Sequence, residues 1–100
     1  MNTSLKKRKL KKEIPLDQIE QIFGDDYSFF KKIKENVFCS HCTRDHITTI
    51  ANYQAFILAN LDLLLQGKCK KCDHNVARVL EIGEVEKYRL VIESILERLN

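Results

Sequence analysis

Two short stretches decide how this chain is read: FCSHC at residues 38–42 and GKCKKCDHNVARVLEIGE at residues 67–84. They hold all four cysteines, as two C-x-x-C pairs separated by 26 residues. Disulfides, a thiol redox couple and a metal site all use such pairs. Structural disulfides belong to oxidising compartments. The basic N-terminus is followed by no apolar signal core, because Asp17 and Glu20 interrupt residues 14–23. The expected location is therefore the cytoplasm, where thiols stay reduced. A redox couple needs one C-x-x-C, at the start of a helix beside a βαβ pattern. This chain has two, and neither opens an evident helix. Two pairs at this spacing suit a four-thiolate metal site instead. Each pair curls into a knuckle with two sulfurs on one side, and two facing knuckles complete a tetrahedron with Zn–S bonds of about 2.3 Å. The expected ligands are Cys39, Cys42, Cys69 and Cys72, holding one structural Zn2+ per chain. Four thiolates leave no open position for water or substrate, which argues against metal-centred catalysis.

The neighbours of the cysteines leave alternatives open. His74, two residues after Cys72, can replace a cysteine in a Cys3His site; it can equally be an exposed polar group or a hydrogen-bonding neighbour. His41, between two ligands, is expected to point outward, and His46 opens a predicted strand. Arg44, Lys68, Lys70, Lys71 and Arg78 would soften the negative charge of a zinc tetrathiolate.

One hundred residues predict one domain with a core small enough to need a staple. The longest uncharged run, Ile47 to Leu61, is fifteen residues, whereas a membrane span needs about 20 mostly apolar ones. Charge is distributed unevenly. Residues 1–13 hold six cations and one anion, a net of +5, so the whole-chain value of +3 leaves residues 14–100 at −2. Residues 1–13 read as a basic, disordered tail, either a solubilising arm or a nucleic-acid-binding one. Residues 14–100 read as the folded domain.

Within that domain, LDQIEQIFG (16–24) predicts a short helix. Asp17 and Glu20 stand at capping-box spacing, and Gly24 suits the stop. DDYSFFKKIKENVF (25–38) predicts a second helix capped by Asp25 or Asp26, with Tyr27, Phe30, Ile33 and Val37 on one face. The β-branched run from Ile47 favours strand from about residue 46 to 58. A short helix capped by Asn60 and ending at Gly67 is expected to follow. A single helix over 53–66 is the rival reading, since Tyr53, Phe56, Ile57, Leu61, Leu64 and Leu65 also fit a helical stripe. NVARVLEI (75–82) predicts a strand with Val76, Leu80 and Ile82 on one face and Ala77 and Val79 on the other. EVEKYRLVIESILERL (84–99) predicts an amphipathic helix with a wide apolar stripe.

The knuckles and the strand expected after each resemble a zinc ribbon over roughly residues 37–83. More loosely, TTIANY…LLLQGKCKKCDHNVARVLEIGE is similar to a group of small, mostly uncharacterised prokaryotic four-cysteine zinc-ribbon proteins. The resemblance implies the same four metal ligands and no activity. One departure concerns geometry. Ribbon knuckles commonly place glycine after the second cysteine, where φ is positive; this chain has Thr43 and Asp73 there. Aspartate tolerates that conformation and threonine does so poorly.

No catalytic constellation is evident. Gly24, Gly67 and Gly83 are too far apart for a phosphate-binding loop, Ser28, Ser40 and Ser94 lack a nucleophile-elbow setting, and Asp25 and Asp26 read as caps. The expected fold is α+β: a small zinc-ribbon sheet flanked by short N-terminal helices and a C-terminal amphipathic helix. The expected function is a non-catalytic zinc-stabilised binding module, with nucleic acid reached through the basic tail and the knuckle lysines. The alternative is a protein-interaction or dimerisation module in which Tyr88, Ile95 and Leu99 meet a second copy, giving a monomer or a weak homodimer. A thiol-redox or rubredoxin-like iron protein is the third reading.

Overall fold

The computed structural model describes residues 11–42 and 45–99. In chain order the elements are β1 (Lys11–Ile14), α1 (Gln18–Phe23), a 3-10 turn (Gly24–Asp26), α2 (Tyr27–Lys34), β2 (Val37–Phe38), β3 (Ile47–Thr48), β4 (Ile50–Leu58), β5 (Leu63–Cys69), β6 (Asn75–Leu80) and α3 (Glu86–Leu99). The fold is α+β. Four strands form an antiparallel sheet in the order β1-β4-β5-β6, and β2 and β3 form a separate two-stranded one.

Alternation along the strands decides which sheet face is covered. Ile14, Ala55, Ile57, Leu63, Leu65, Val76 and Leu80 are buried in one cluster with Ile19, Ile22, Phe23, Phe30, Ile92 and Ile95 from the helices. Phe30 is fully buried, its ring 5.3 Å from Phe23 and 5.6 Å from Tyr27. Burying a side chain of that size contributes about 2–3 kcal/mol. The opposite face presents Gln54, Gln66, Ala77 and Val79, all exposed or half-buried. Helix α3 is tied to the N-terminal helices by polar contacts as well. Tyr88 donates a hydrogen bond to Asp26 at 2.9 Å, Lys87 pairs with the same carboxylate, and Arg98 donates to Gln18 and Gln21. These two partners hold the Asp26 carboxyl below its ordinary range, Lys87 first and Tyr88 second.

Several expectations change. Lys11, Lys12 and Glu13 were assigned to the tail, yet they form strand β1 with Ile14, paired from Lys11↔Leu58 to Ile14↔Ala55. An edge strand accepts such charges, because its outward side chains stay in water. Lys11 lies over the Phe56 ring at 4.4 Å and donates to Gln66, while Gln54 donates to Glu13. The rest of the predicted tail, residues 1–10, lies outside the described residues. The short helix expected from Asn60 to Gly67 is instead strand β5. Asn60 does not cap a helix; its side-chain oxygen accepts the Asp62 N–H at 3.1 Å, and Leu61 takes φ 72°. That is an Asx turn closing a hairpin, with Leu58 N–H bonded to the Asp62 carbonyl. The single-helix rival over 53–66 is excluded by the same hairpin.

Neither Asp17 nor Asp26 makes a side-chain cap, and α2 stops at Lys34, so Val37 joins the core from a strand. Tyr88 and Ile95, expected to meet a second copy, are 8% and 1% exposed inside this chain. Leu99, the third residue expected there, is 37% exposed. Among the described residues, no helix is long and apolar enough to cross a membrane.

Candidate metal centre

Each C-x-x-C pair is carried at the turn of a hairpin. Strands β2 and β3 lead into and out of the first, closed by Cys39 N–H to the His46 carbonyl at 2.8 Å. Strands β5 and β6 carry the second, closed by Cys69 N–H to the His74 carbonyl at 2.7 Å. The turn at the second knuckle needs a left-handed residue, and Asp73 supplies it with φ 67°. The corresponding expectation for Thr43 lies outside the described residues, as does Arg44. On the first hairpin His46 has the positive φ, 61°, and its ring hydrogen-bonds the Cys39 carbonyl at 3.0 Å.

These hairpins bring Cys39, Cys42, Cys69 and Cys72 together, all four sulfurs within 4.8 Å of one another. Cys39 lies 3.5 Å from Cys72 and Cys42 lies 3.4 Å from Cys69, so each close contact joins the two knuckles. Four sulfurs around one ion at about 2.3 Å would stand about 3.8 Å apart, so the cluster fits a tetrahedral metal. Cys39, Cys42 and Cys69 are buried and Cys72 is partly so. A metal held here cross-links two hairpins that are distant in sequence.

The proton affinities within the cluster are spread apart, as expected when like charges share a small volume. Cys42 is pushed up to about 12, first by its hydrogen bond with Cys69 and then by burial. Burial also pushes Cys69 upward, but hydrogen bonds to its sulfur outweigh that and bring it down to about 5. Thr48 Oγ1 stands 3.2 Å from that sulfur, and the Cys72 backbone N–H donates to it at 3.4 Å. Cys69 thus holds its proton less tightly than Cys42 does.

Thr48 was read in the sequence only as a strand former. Among the described residues it is the buried polar one, at 2% exposure, and no local spacing marks it as a partner of Cys69. His74 is not in the cluster. It is exposed and stacks on His41, ring centroids 3.6 Å apart and planes within 10°. His41 faces outward, so the pair links the two knuckles on their outer side. Of the cations near the site, Lys71 donates to the Ile47 carbonyl at 2.8 Å and lies 3.7 Å from Asp45. Lys68 donates to Asn75, and Lys70 is exposed.

A four-cysteine cluster of this kind defines a candidate structural metal-binding module. Comparison with protein-family models, with curated proteins and with solved structures gives no significant match.

Proposed function

We propose that the chain is a non-catalytic, zinc-stabilised binding module of the zinc-ribbon kind, and that its ligand is nucleic acid. The observation that carries the metal reading is the meeting of all four thiols within 4.8 Å, three of them buried. Four sulfurs in a tetrahedron suit zinc or iron. Zinc is the reading adopted here, with Cys39, Cys42, Cys69 and Cys72 as a closed structural shell. A closed shell offers no position for substrate, so the module binds and does not catalyse. A reducing cytoplasmic setting keeps the thiols available as ligands.

The nucleic-acid reading rests on charge. Lys68, Lys70 and Lys71 gather at the second knuckle, beside the exposed His41–His74 stack. The cations Lys6, Lys7, Arg8 and Lys9 precede β1 in the sequence. Phosphate contacts of this type position a protein without reading bases, so selectivity should be weak.

The test compares the full chain with one beginning at Lys11, which keeps β1. Both are titrated with DNA and RNA at two salt concentrations. Removal of the four tail cations should weaken binding and reduce the log–log salt slope by up to about 3.5 on duplex DNA, with metal content unchanged. If neither chain binds either nucleic acid near physiological salt, the nucleic-acid reading fails. Elemental analysis that finds no zinc in purified protein defeats the metal reading separately.

A further inference from the structure

The open face of the main sheet carries a hollow with a construction of its own. β4 loses register with β5 between Ala51 and Gln54, and Asn52, inside that bulge, takes φ 49°. Bulges of this kind re-aim side chains and are over-represented beside functional sites. Opposite the bulge stands Gly67. A Cβ there would lie 2.6 Å from the Ala51 carbonyl oxygen and 2.8 Å from Tyr53 Cα, so only glycine lets the two strands come this close. Here lies a hollow of about 450 Å³, with Asn52, Gln54, Gln66, Lys68 and Asn75 on its walls. Gln54 and Gln66 are direct cross-strand partners, and their neighbours orient them. Gln54 donates its amide N–H to Glu13 at 3.0 Å, which leaves its carbonyl oxygen as an acceptor. Lys11 donates to Gln66 Oε1 at 2.8 Å, which leaves the Gln66 NH2 group as a donor. Lys68 holds Asn75 Oδ1 in the same way at 2.7 Å. Among the described residues, the glutamine pair thus keeps one acceptor and one donor side by side.

We infer that this hollow takes one unpaired base of a single-stranded nucleic acid, with Gln54 and Gln66 reading the base edge and Lys68 and Lys70 taking the adjoining phosphates. The inference rests on the nucleic-acid reading and names its site and the strand form. A base edge offers what the pair needs. Adenine, for example, sets its 6-amino donor beside the N7 acceptor. The amino group would reach the Gln54 oxygen, and the Gln66 N–H would reach N7. Bases splayed out of the stack are read by such edge contacts. The amides alone would suit any neutral polar ligand, and charge narrows the choice. Among the described residues that line the hollow, Lys68 is the one ionised group. Glu13 stands outside it and is held by Gln54. Lys70, exposed, follows two residues after Lys68, where β5 gives way to the knuckle. A polar edge joined to a phosphate satisfies both features. A neutral sugar or peptide leaves the cations unmatched, and a bare phosphate leaves the amides unmatched.

The experiment uses the metal-loaded full chain, labelled so that backbone and side-chain amides are both observed. The probes are a deoxyadenosine hexamer, an abasic strand of the same length, a DNA hairpin duplex and adenosine monophosphate. The hexamer is expected to shift the side-chain NH2 signals of Gln54, Gln66 and Asn75. The abasic strand and the hairpin should shift only the region of Lys70, and the mononucleotide should bind more weakly than the hexamer. Gln54→Leu and Gln66→Leu should each weaken hexamer binding roughly fivefold or more and leave the abasic strand's affinity unchanged. Both side chains lie on the open face, so both variants should keep the wild-type melt; if one fails to fold, the other still decides. Shifts confined to the knuckle with every probe, or unaltered hexamer affinity in the glutamine variants, overturn the inference and leave the nucleic-acid reading standing. Equal shifts in the hollow from the hairpin overturn the single-strand preference. Mononucleotide binding as tight as the hexamer's overturns the inference in favour of a free-nucleotide site. No binding of any probe overturns this inference and the nucleic-acid reading together.

Discussion

The two knuckles have the same four-residue pattern and quite different foundations. The second grows from β5 and β6, strands of seven and six residues in the main sheet. It is closed by a five-residue step from Cys69 to His74, by Asp73 N–H to the Cys69 carbonyl at 2.8 Å, and by Asp73 in the left-handed conformation. The first hangs from β2 and β3, two residues each, and takes seven residues from Cys39 to His46. Much of what holds it comes from its counterpart: Lys70 N–H to the Thr49 carbonyl at 3.0 Å, the Lys71 side chain to the Ile47 carbonyl, and Thr48 against Cys69. Two residues of ladder cannot close a loop of that length alone. One knuckle is prebuilt by the sheet, and the other is assembled onto it.

Removal of the metal should therefore act unevenly, and this is the largest effect expected. Binding to structural zinc sites is worth on the order of 10 kcal/mol in small peptides, where the apo chain is unfolded. Here the β4-β5-β6 sheet has its own buried core. Chelation, or Cys42→Ser, should abolish metal binding and strip hydrogen-exchange protection from residues 37–48. Protection in β4, β5 and α3 should be lowered but measurable. Equal loss at both knuckles would remove the distinction. Retention of protection at 37–48 without metal would show that the first knuckle is prebuilt too.

The next largest effect tests the bridge between them. Thr48 sits on the first hairpin and its hydroxyl touches the sulfur of the second. Groups that orient metal ligands typically change affinity 10–100-fold when removed. Thr48→Val keeps the shape and deletes the hydroxyl, so metal affinity in a chelator competition should fall about 10-fold or more. Unchanged affinity would mean that the hydroxyl only fills a buried space.

The cysteine spacing announces the cluster in the sequence because a thiolate cage depends on a few residue types at fixed intervals. Strand β6 was legible in its alternation, with Val76 and Leu80 buried and Ala77 and Val79 exposed, but it ends at Leu80, so Ile82 is buried from beyond the strand. What the sequence hid has a common origin in tertiary context. LLLQG has no period that separates strand from helix, and its register with β4 decided the matter. KKE resembled solvated tail because an edge strand can be as charged as a tail. The roles of Thr48 and His46 arise only when two hairpins meet, which no local pattern records.

The smallest effect separates the knuckles most finely. Among the described residues, each knuckle hairpin contains one non-glycine residue with positive φ, Asp73 at 67° and His46 at 61°. For an ordinary L-residue this conformation costs roughly 1–2 kcal/mol, and less for aspartate. Asp73 is exposed, and among the described residues its side chain has no hydrogen-bond partner. Asp73→Gly removes the strain while adding some freedom to the unfolded chain. The net should be a stabilisation below about 1 kcal/mol, seen as a slightly raised melting temperature. His46→Gly relieves the same strain but deletes the ring contact to the Cys39 carbonyl, which fastens the first knuckle. A hydrogen bond of that kind contributes about 1 kcal/mol, so this variant should be no more stable than the wild type. It should also lose exchange protection at Cys39 and Ile47. Opposite signs for the two glycines would follow from one turn being shaped by its backbone and the other by a side chain. Stabilisation by both would show that the His46 ring does no holding and that backbone strain governs both knuckles alike.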